Sequence, residues 1–128
     1  MDIKFRQPHL EEEFTKLNTK LKCITWYILC YVKETYGVDL ECTQIFRTQA
    51  EQDEIYRDDP KYIKSPWMSV HQSWRGIDFS IKDLGAAKAK KMAAEVNEIF
   101  PYGKGSLKTV LAHEVGSHGF HLHVQVKA

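Results

Sequence analysis

An α+β domain with a mostly antiparallel sheet is the fold the sequence predicts, on three observations. A helical period fills the first quarter of the chain, short period-two segments follow it, and no strand-helix-strand repeat links them into a parallel sheet. At 128 residues, one domain of this kind buries a core without disulfide staples.

Phe14, Leu17, Leu21, Ile24, Ile28 and Tyr31 recur at three- and four-residue steps. That spacing predicts one amphipathic helix from about Leu10 to Tyr36, stopped by Gly37. Val38, Leu40 and Cys42 alternate with Asp39, Glu41 and Thr43, the pattern of a half-buried strand to about Phe46. Thr48-Gln49-Ala50-Glu51 reads as a capping box that opens a short helix through Arg57. The stretch from Asp58 to Val70 carries Pro60 and Pro66 without any period and is expected as a loop.

Ile77, Phe79 and Ile81 alternate with Asp78 and Ser80 as a second strand. A helix from about Leu84 to Phe100 follows, rich in Ala, Lys and Glu and closed by Pro101. Thr109–Val115 and Phe120–Lys127 complete the set as strands, with helices packed on one side of the sheet. Residues 1–37 thus form an amino-terminal helical segment and 38–128 the core that carries the chemistry.

Eighteen basic and seventeen acidic side chains nearly cancel, so no overall field favours nucleic acid or a membrane surface. The Lys88, Lys90 and Lys91 cluster reads as a solvated helix face. Three cysteines are an odd number, and Cys23 and Cys30 fall within the apolar helical pattern, so free core thiols are expected. No apolar run is long enough to span a bilayer, and none near Met1 reads as a secretory signal. A monomer made in the cytoplasm, without membrane insertion or nucleic-acid partner, is the expectation.

The chemistry lies in two short stretches. In Phe120-His121-Leu122-His123-Val124-Gln125-Val126, the period of two puts His121, His123 and Gln125 on one face. Such a pair can supply one metal ligand and one supporting or catalytic group; a pair of exposed edge-strand histidines is the plain alternative. In Ser69-Val70-His71-Gln72-Ser73-Trp74-Arg75-Gly76-Ile77-Asp78, a loop histidine precedes an aspartate turned away from the core-forming Ile77 and Phe79. Two histidines, one carboxylate and a position left for water are the ligand set of a catalytic rather than a structural zinc site. Zinc so held makes water acidic enough to attack an amide carbonyl.

The stretch SVHQSWRGIDFSI resembles the Ser-x-His…Asp ligand motif of the zinc D-alanyl-D-alanine carboxypeptidases and L-alanyl-D-glutamate endopeptidases of peptidoglycan. Upstream, Ile45-Phe46-Arg47-Thr48-Gln49-Ala50-Glu51-Gln52-Asp53-Glu54-Ile55-Tyr56 is similar to their Arg-Ser/Thr turn and following helix. The His-x-His strand resembles that of the wider group, with the lysostaphin-type endopeptidases and the hedgehog amino-terminal domain, whose zinc fold the resemblance implies. It further implies His71, Asp78 and His123 as zinc ligands, and Arg47, Gln52 and Ser69 as substrate-binding residues. The implied substrate is a peptidoglycan stem peptide, cleaved by a phage lysis enzyme, a virion-associated wall hydrolase or a bacterial dipeptidase.

The family carries Glu or Asp three residues before its last ligand histidine; Phe120 stands there if His123 is the ligand, and His118 if His121 is. Trp74 replaces a usual Gly, and Gly76 a usual Ala. By analogy with the lysostaphin type, His121 is the first choice of general base, with Glu114 and His113 in reserve. His118, between Ser117 and Gly119, reads as a turn histidine.

Overall fold

Asn18 divides the expected first helix in two. Its side chain accepts a hydrogen bond from the Leu21 amide, capping a new helix, and its own amide donates to the Trp74 carbonyl. In the computed structural model, which describes residues 3–114 and 119–128, α1 therefore runs His9–Thr15 and α2 Thr19–Tyr36. Gly37 ends α2 as expected, at φ +69°, with its amide bonded to the Lys33 carbonyl.

The chain is a single small α+β domain around a five-stranded mixed sheet. Its strands are β1 (Lys4–Phe5), β2 (Glu41–Gln44), β3 (Gly76–Ser80), β4 (Val110–Glu114) and β5 (Phe120–Gln125), in the order β1-β2-β3-β5-β4. Among the described residues, β1 and β2 run parallel and the other three pairings are antiparallel. The segment before residue 38 is thus not purely helical, since it supplies the edge strand β1. Three further helices are α3 (Gln49–Ile55), α4 (Pro60–Lys64) and α5 (Ala86–Ile99).

The capping box of α3 forms as read: Thr48 accepts from the Glu51 amide and Glu51 from the Thr48 amide. The expected loop at 58–70 instead contains α4, with Asp59 as its cap and Pro60 in its first turn. A 3-10 turn then follows at Val70–Ser73.

Strand alternation sorts the sheet into two faces. Ile77, Phe79, Leu122 and Val124 are all 0% exposed and pack against apolar residues of α1, α2 and α5. Full burial of one such side chain contributes about 1.5–3 kcal/mol. The intervening residues Asp78, His121, His123 and Gln125 point to the other face. A bulge between Cys42 and Gln44 adjusts β2 to this plan. Cys42 stays opposite the core residue Phe79, and Gln44 comes opposite Asp78, on the polar face.

All three cysteines are free, as expected, but only Cys42 is in the core, where burial pushes its thiol pKa up. Cys23 and Cys30 are exposed, because the buried stripe of α2 runs through Leu21, Ile24, Ile28 and Val32. Among the described residues no helix is long and apolar enough to cross a membrane.

Candidate metal centre

Three histidines and one carboxylate converge on the polar face. Asp78 and His123 are direct partners in the β3-β5 ladder, and His123 Nδ1 lies 2.8 Å from Asp78 Oδ1. The 3-10 turn delivers His71, whose amide donates to the Ser69 hydroxyl that caps the turn. His71 Nε2 is 3.2 Å from the same Oδ1, while His121 Nε2 stands 3.6 Å from Oδ2. Asp78 is 2% exposed and His71 1%, so bulk water solvates neither.

Gly76 makes the approach of the turn possible. A Cβ there would lie 2.6 Å from Val70 Cγ2 and 3.4 Å from Cε1 of both His71 and His123. Gly76, where the motif it resembles has Ala, therefore bears on the His71 and His123 rings themselves. Trp74, the other departure, adopts the left-handed conformation at φ +60° and stacks on Phe46 with ring centroids 4.6 Å apart.

Protein carbonyls fix two imidazole tautomers. His71 Nδ1 is 2.8 Å from the Ile45 carbonyl oxygen, which can only accept, so Nδ1 holds the proton and Nε2 presents a lone pair. His121 Nδ1 donates likewise to the Gly119 carbonyl at 3.0 Å, leaving the Nε2 lone pair on the Asp78 side. His71 Nε2 and Asp78 Oδ2 are buried without a hydrogen-bond partner. A lone pair held 3.2 Å from a carboxylate oxygen in a dry site repels it unless a cation intervenes.

Donors around a tetrahedral zinc stand about 3.3 Å apart, given bonds of roughly 2.0–2.1 Å. The His71–Asp78 spacing fits this, and the ligand atoms of His71, Asp78 and His123 all lie within 4.8 Å of one another. These residues can hold a metal ion. A second group, His113, His121 and His123, meets the same distance criterion but shares His123 and contains no anion.

The electrostatics suit ligands. Burial pushes the Asp78 carboxyl up, yet His71 and His123 in their protonated, donating forms outweigh it and hold the acid well below its usual range. Burial lowers the His71 pKa despite the attraction of Asp78, which favours the neutral imidazole a metal needs. His113 falls to about 4, first through burial and then through the nearby His123 and His121.

Beside the group opens a cleft of about 380 Å³ with Arg47 in its wall. Arg47 is 5% exposed; Nη1 donates to Gln52 Oε1 at 2.7 Å and Ser69 Oγ at 3.2 Å, and Nη2 to Gln44 Oε1 at 2.6 Å. Its Nε is buried without a partner. These acceptors are neutral, so they position the guanidinium while leaving its charge uncompensated. Trp67, Met68 and Leu107 are exposed apolar side chains on the rim.

The structure thus brings together seven of the residues singled out in the sequence: Arg47, Ser69, His71, Asp78, His113, His121 and His123. Gln52 is different: fully buried and outside the cleft lining, it holds Arg47 and donates to the Trp67 carbonyl, so it acts on a ligand only through Arg47. Glu114 is also displaced. It pairs with Phe120, one residue out of phase with the facing His113–His121 pair, so alternation turns it to the opposite side of the sheet. His118, with the rest of 115–118, lies outside the described residues.

Among cleft residues not assigned a role from sequence, Tyr56 and Gln125 carried signals, one in the Arg47 segment and one in the histidine period. Leu107 and Leu111 carried none. Comparison with protein-family models, curated proteins and solved structures gave no match.

Proposed function

We propose that the chain is a zinc-dependent peptidase acting on peptidoglycan stem peptides, built on the zinc fold of D-alanyl-D-alanine peptidases, lysostaphin-type enzymes and the hedgehog domain. The observation that carries this reading is the convergence of imidazole lone pairs on buried Asp78, at the wall of an open cleft that also contains an uncompensated arginine.

Zinc held by His71, Asp78 and His123 would polarise the scissile carbonyl and make water acidic enough to attack it. His121, its Nδ1 proton tied to the Gly119 carbonyl and its Nε2 on the Asp78 side, would take a proton from that water and return it to the leaving amine. His113, cross-strand from His121 with ring centroids 5.1 Å apart and a buried, unpartnered Nε2, takes over from Glu114 as the reserve for proton transfer. Arg47 orients a substrate carbonyl or carboxylate by charge and planar donors. The apolar rim limits water around the bond.

A second reading has one specific support. Asp78 is the only carboxylate among the described residues lining the cleft, so the acidic proton carrier of the carboxypeptidases has no counterpart there. On that reading the chain is a zinc-fold binding or structural protein without hydrolysis. Digestion of purified peptidoglycan with and without chelator, with products identified by mass, separates the two. Chelator-sensitive release of stem-peptide fragments supports the peptidase; zinc binding without any release supports the binding protein.

A further inference from the structure

We infer that Gln125 sets the tautomer of His123, and thereby decides which nitrogen of that histidine is offered to a metal. This rests on the reading of His71, Asp78 and His123 as ligands. For His71 and His121 the ring proton is tied to a backbone carbonyl, which side-chain substitution leaves in place. His123 uses a side chain instead: its Nε2 lies 3.1 Å from Gln125 Oε1.

An amide can be placed either way round, but this one has a fixed direction. Its other end lies 2.8 Å from the Lys108 carbonyl oxygen, which only accepts, so that end is the NH2 group. Oxygen therefore faces His123, and oxygen calls for a donor. Nε2 carries the proton, and Nδ1 directs its lone pair to the point where Asp78 Oδ1 lies 2.8 Å away.

Without the amide the preference reverses. A neutral ring would place its proton on Nδ1 and donate to the carboxylate, a charge-assisted bond that blocks the ligand position. Gln125 opposes this from a buried site, 8% exposed, where water is a poor substitute.

The support behind the amide is itself anchored. The Gln125 amide N–H donates to the Thr109 carbonyl at 2.8 Å. Next to Thr109, Asn97 of α5 holds Val110 on both sides, donating to its carbonyl at 2.9 Å and accepting from its amide at 2.8 Å. The Thr109 hydroxyl donates to the Phe100 carbonyl just after the same helix. The Lys108 oxygen is thus fixed relative to α5, and it fixes the amide.

Wild type, Gln125→Leu and Gln125→Glu are compared by nitrogen-15 NMR of the His123 ring in metal-free protein, by zinc affinity in chelator competition, and by melting. Gln125→Leu should lower the fraction of His123 protonated at Nε2 severalfold and weaken zinc binding by about 10–100-fold. Gln125→Glu keeps an acceptor toward Nε2 while giving up the bond to the Lys108 carbonyl, so it should retain the Nε2 proton even at reduced stability, which loss of packing alone would not produce. An unchanged Nε2 proton and zinc affinity within about twofold in a folded Gln125→Leu would overturn the inference. So would loss of the Nε2 proton in Gln125→Glu. If wild type takes up no zinc while the tautomer still shifts in Gln125→Leu, the role of Gln125 stands and the metal reading falls.

Discussion

The two faces of β3 and β5 are built from alternate residues of the same strands and are held by different forces. On one face Ile77, Phe79, Leu122 and Val124 are fully buried in apolar contacts, which have no preferred direction. On the other, Asp78, His121 and His123 are 2–8% exposed and meet in polar contacts at 2.8–3.6 Å whose direction matters. The apolar face fixes where the strands lie, and the polar face uses that fixed backbone to hold together three side chains that would otherwise repel one another. A metal site gains its rigidity from the core residues that alternate with its ligands.

The largest break in this arrangement comes from the apolar side. Phe79→Ala should cost about 3–5 kcal/mol of stability, read from denaturant unfolding, because it empties a fully buried site next to Asp78. Metal retention should weaken with it, although no ligand has changed. Unchanged metal affinity in a destabilised Phe79→Ala would show that the two faces are independent.

Arg47→Ala acts from the polar side. It leaves Gln52 and Gln44 without their donor, so stability should fall by about 1–3 kcal/mol while metal content stays near stoichiometric and hydrolysis drops strongly. Loss of metal together with Arg47 would place the guanidinium in the support of the ligands rather than at the substrate.

Trp74 gives a smaller and cleaner contrast. Trp74→Ala removes the stack on Phe46 and keeps a side chain at φ +60°, whereas Trp74→Gly removes the stack and relieves the backbone. The glycine variant should be more stable than the alanine variant by about 1 kcal/mol. Equal stabilities would mean that the turn carries no backbone strain.

The last effect is in pH. The pKa of His113 is depressed to about 4 in the fold and rises to its ordinary value on unfolding. The unfolded chain then binds the extra proton, so stability is full above about pH 6.5 and is lost as pH falls toward 4. In metal-free protein, His113→Phe should flatten the stability curve in that window. An unchanged slope would exclude His113 as a contributor.

Much of this was legible in the sequence because it depends on local periods. Alternation around Asp78 and His121–His123 gave both faces of β3 and β5, and Thr48–Glu51 gave the cap of α3. The break at Asn18 was hidden because the apolar period continues across it; the cap reveals itself only through the Leu21 amide and the Trp74 carbonyl. Helix α4 carried a readable signal in Asp59-Pro60, outweighed by the second proline and the lack of period.

At the site, residue types and order pointed to the grouping of His71, Asp78 and His123, whereas register decided the rest. One residue of phase separates His113 from Glu114, and neither spacing nor composition specifies which strand position faces β5. The burial of Gln52 behind Arg47 depends on contacts across the chain that no local pattern encodes.

The most direct test of the account is zinc content and peptidoglycan digestion measured on the same preparations of His121→Ala and His123→Ala. His123→Ala should lose both zinc and hydrolysis, since its ring, in the ladder opposite Asp78, is the proposed ligand. His121→Ala should retain about one zinc per chain and lose hydrolysis, since its ring is the proposed proton carrier. Zinc lost from His121→Ala but kept in His123→Ala would contradict the assignment of ligand and base.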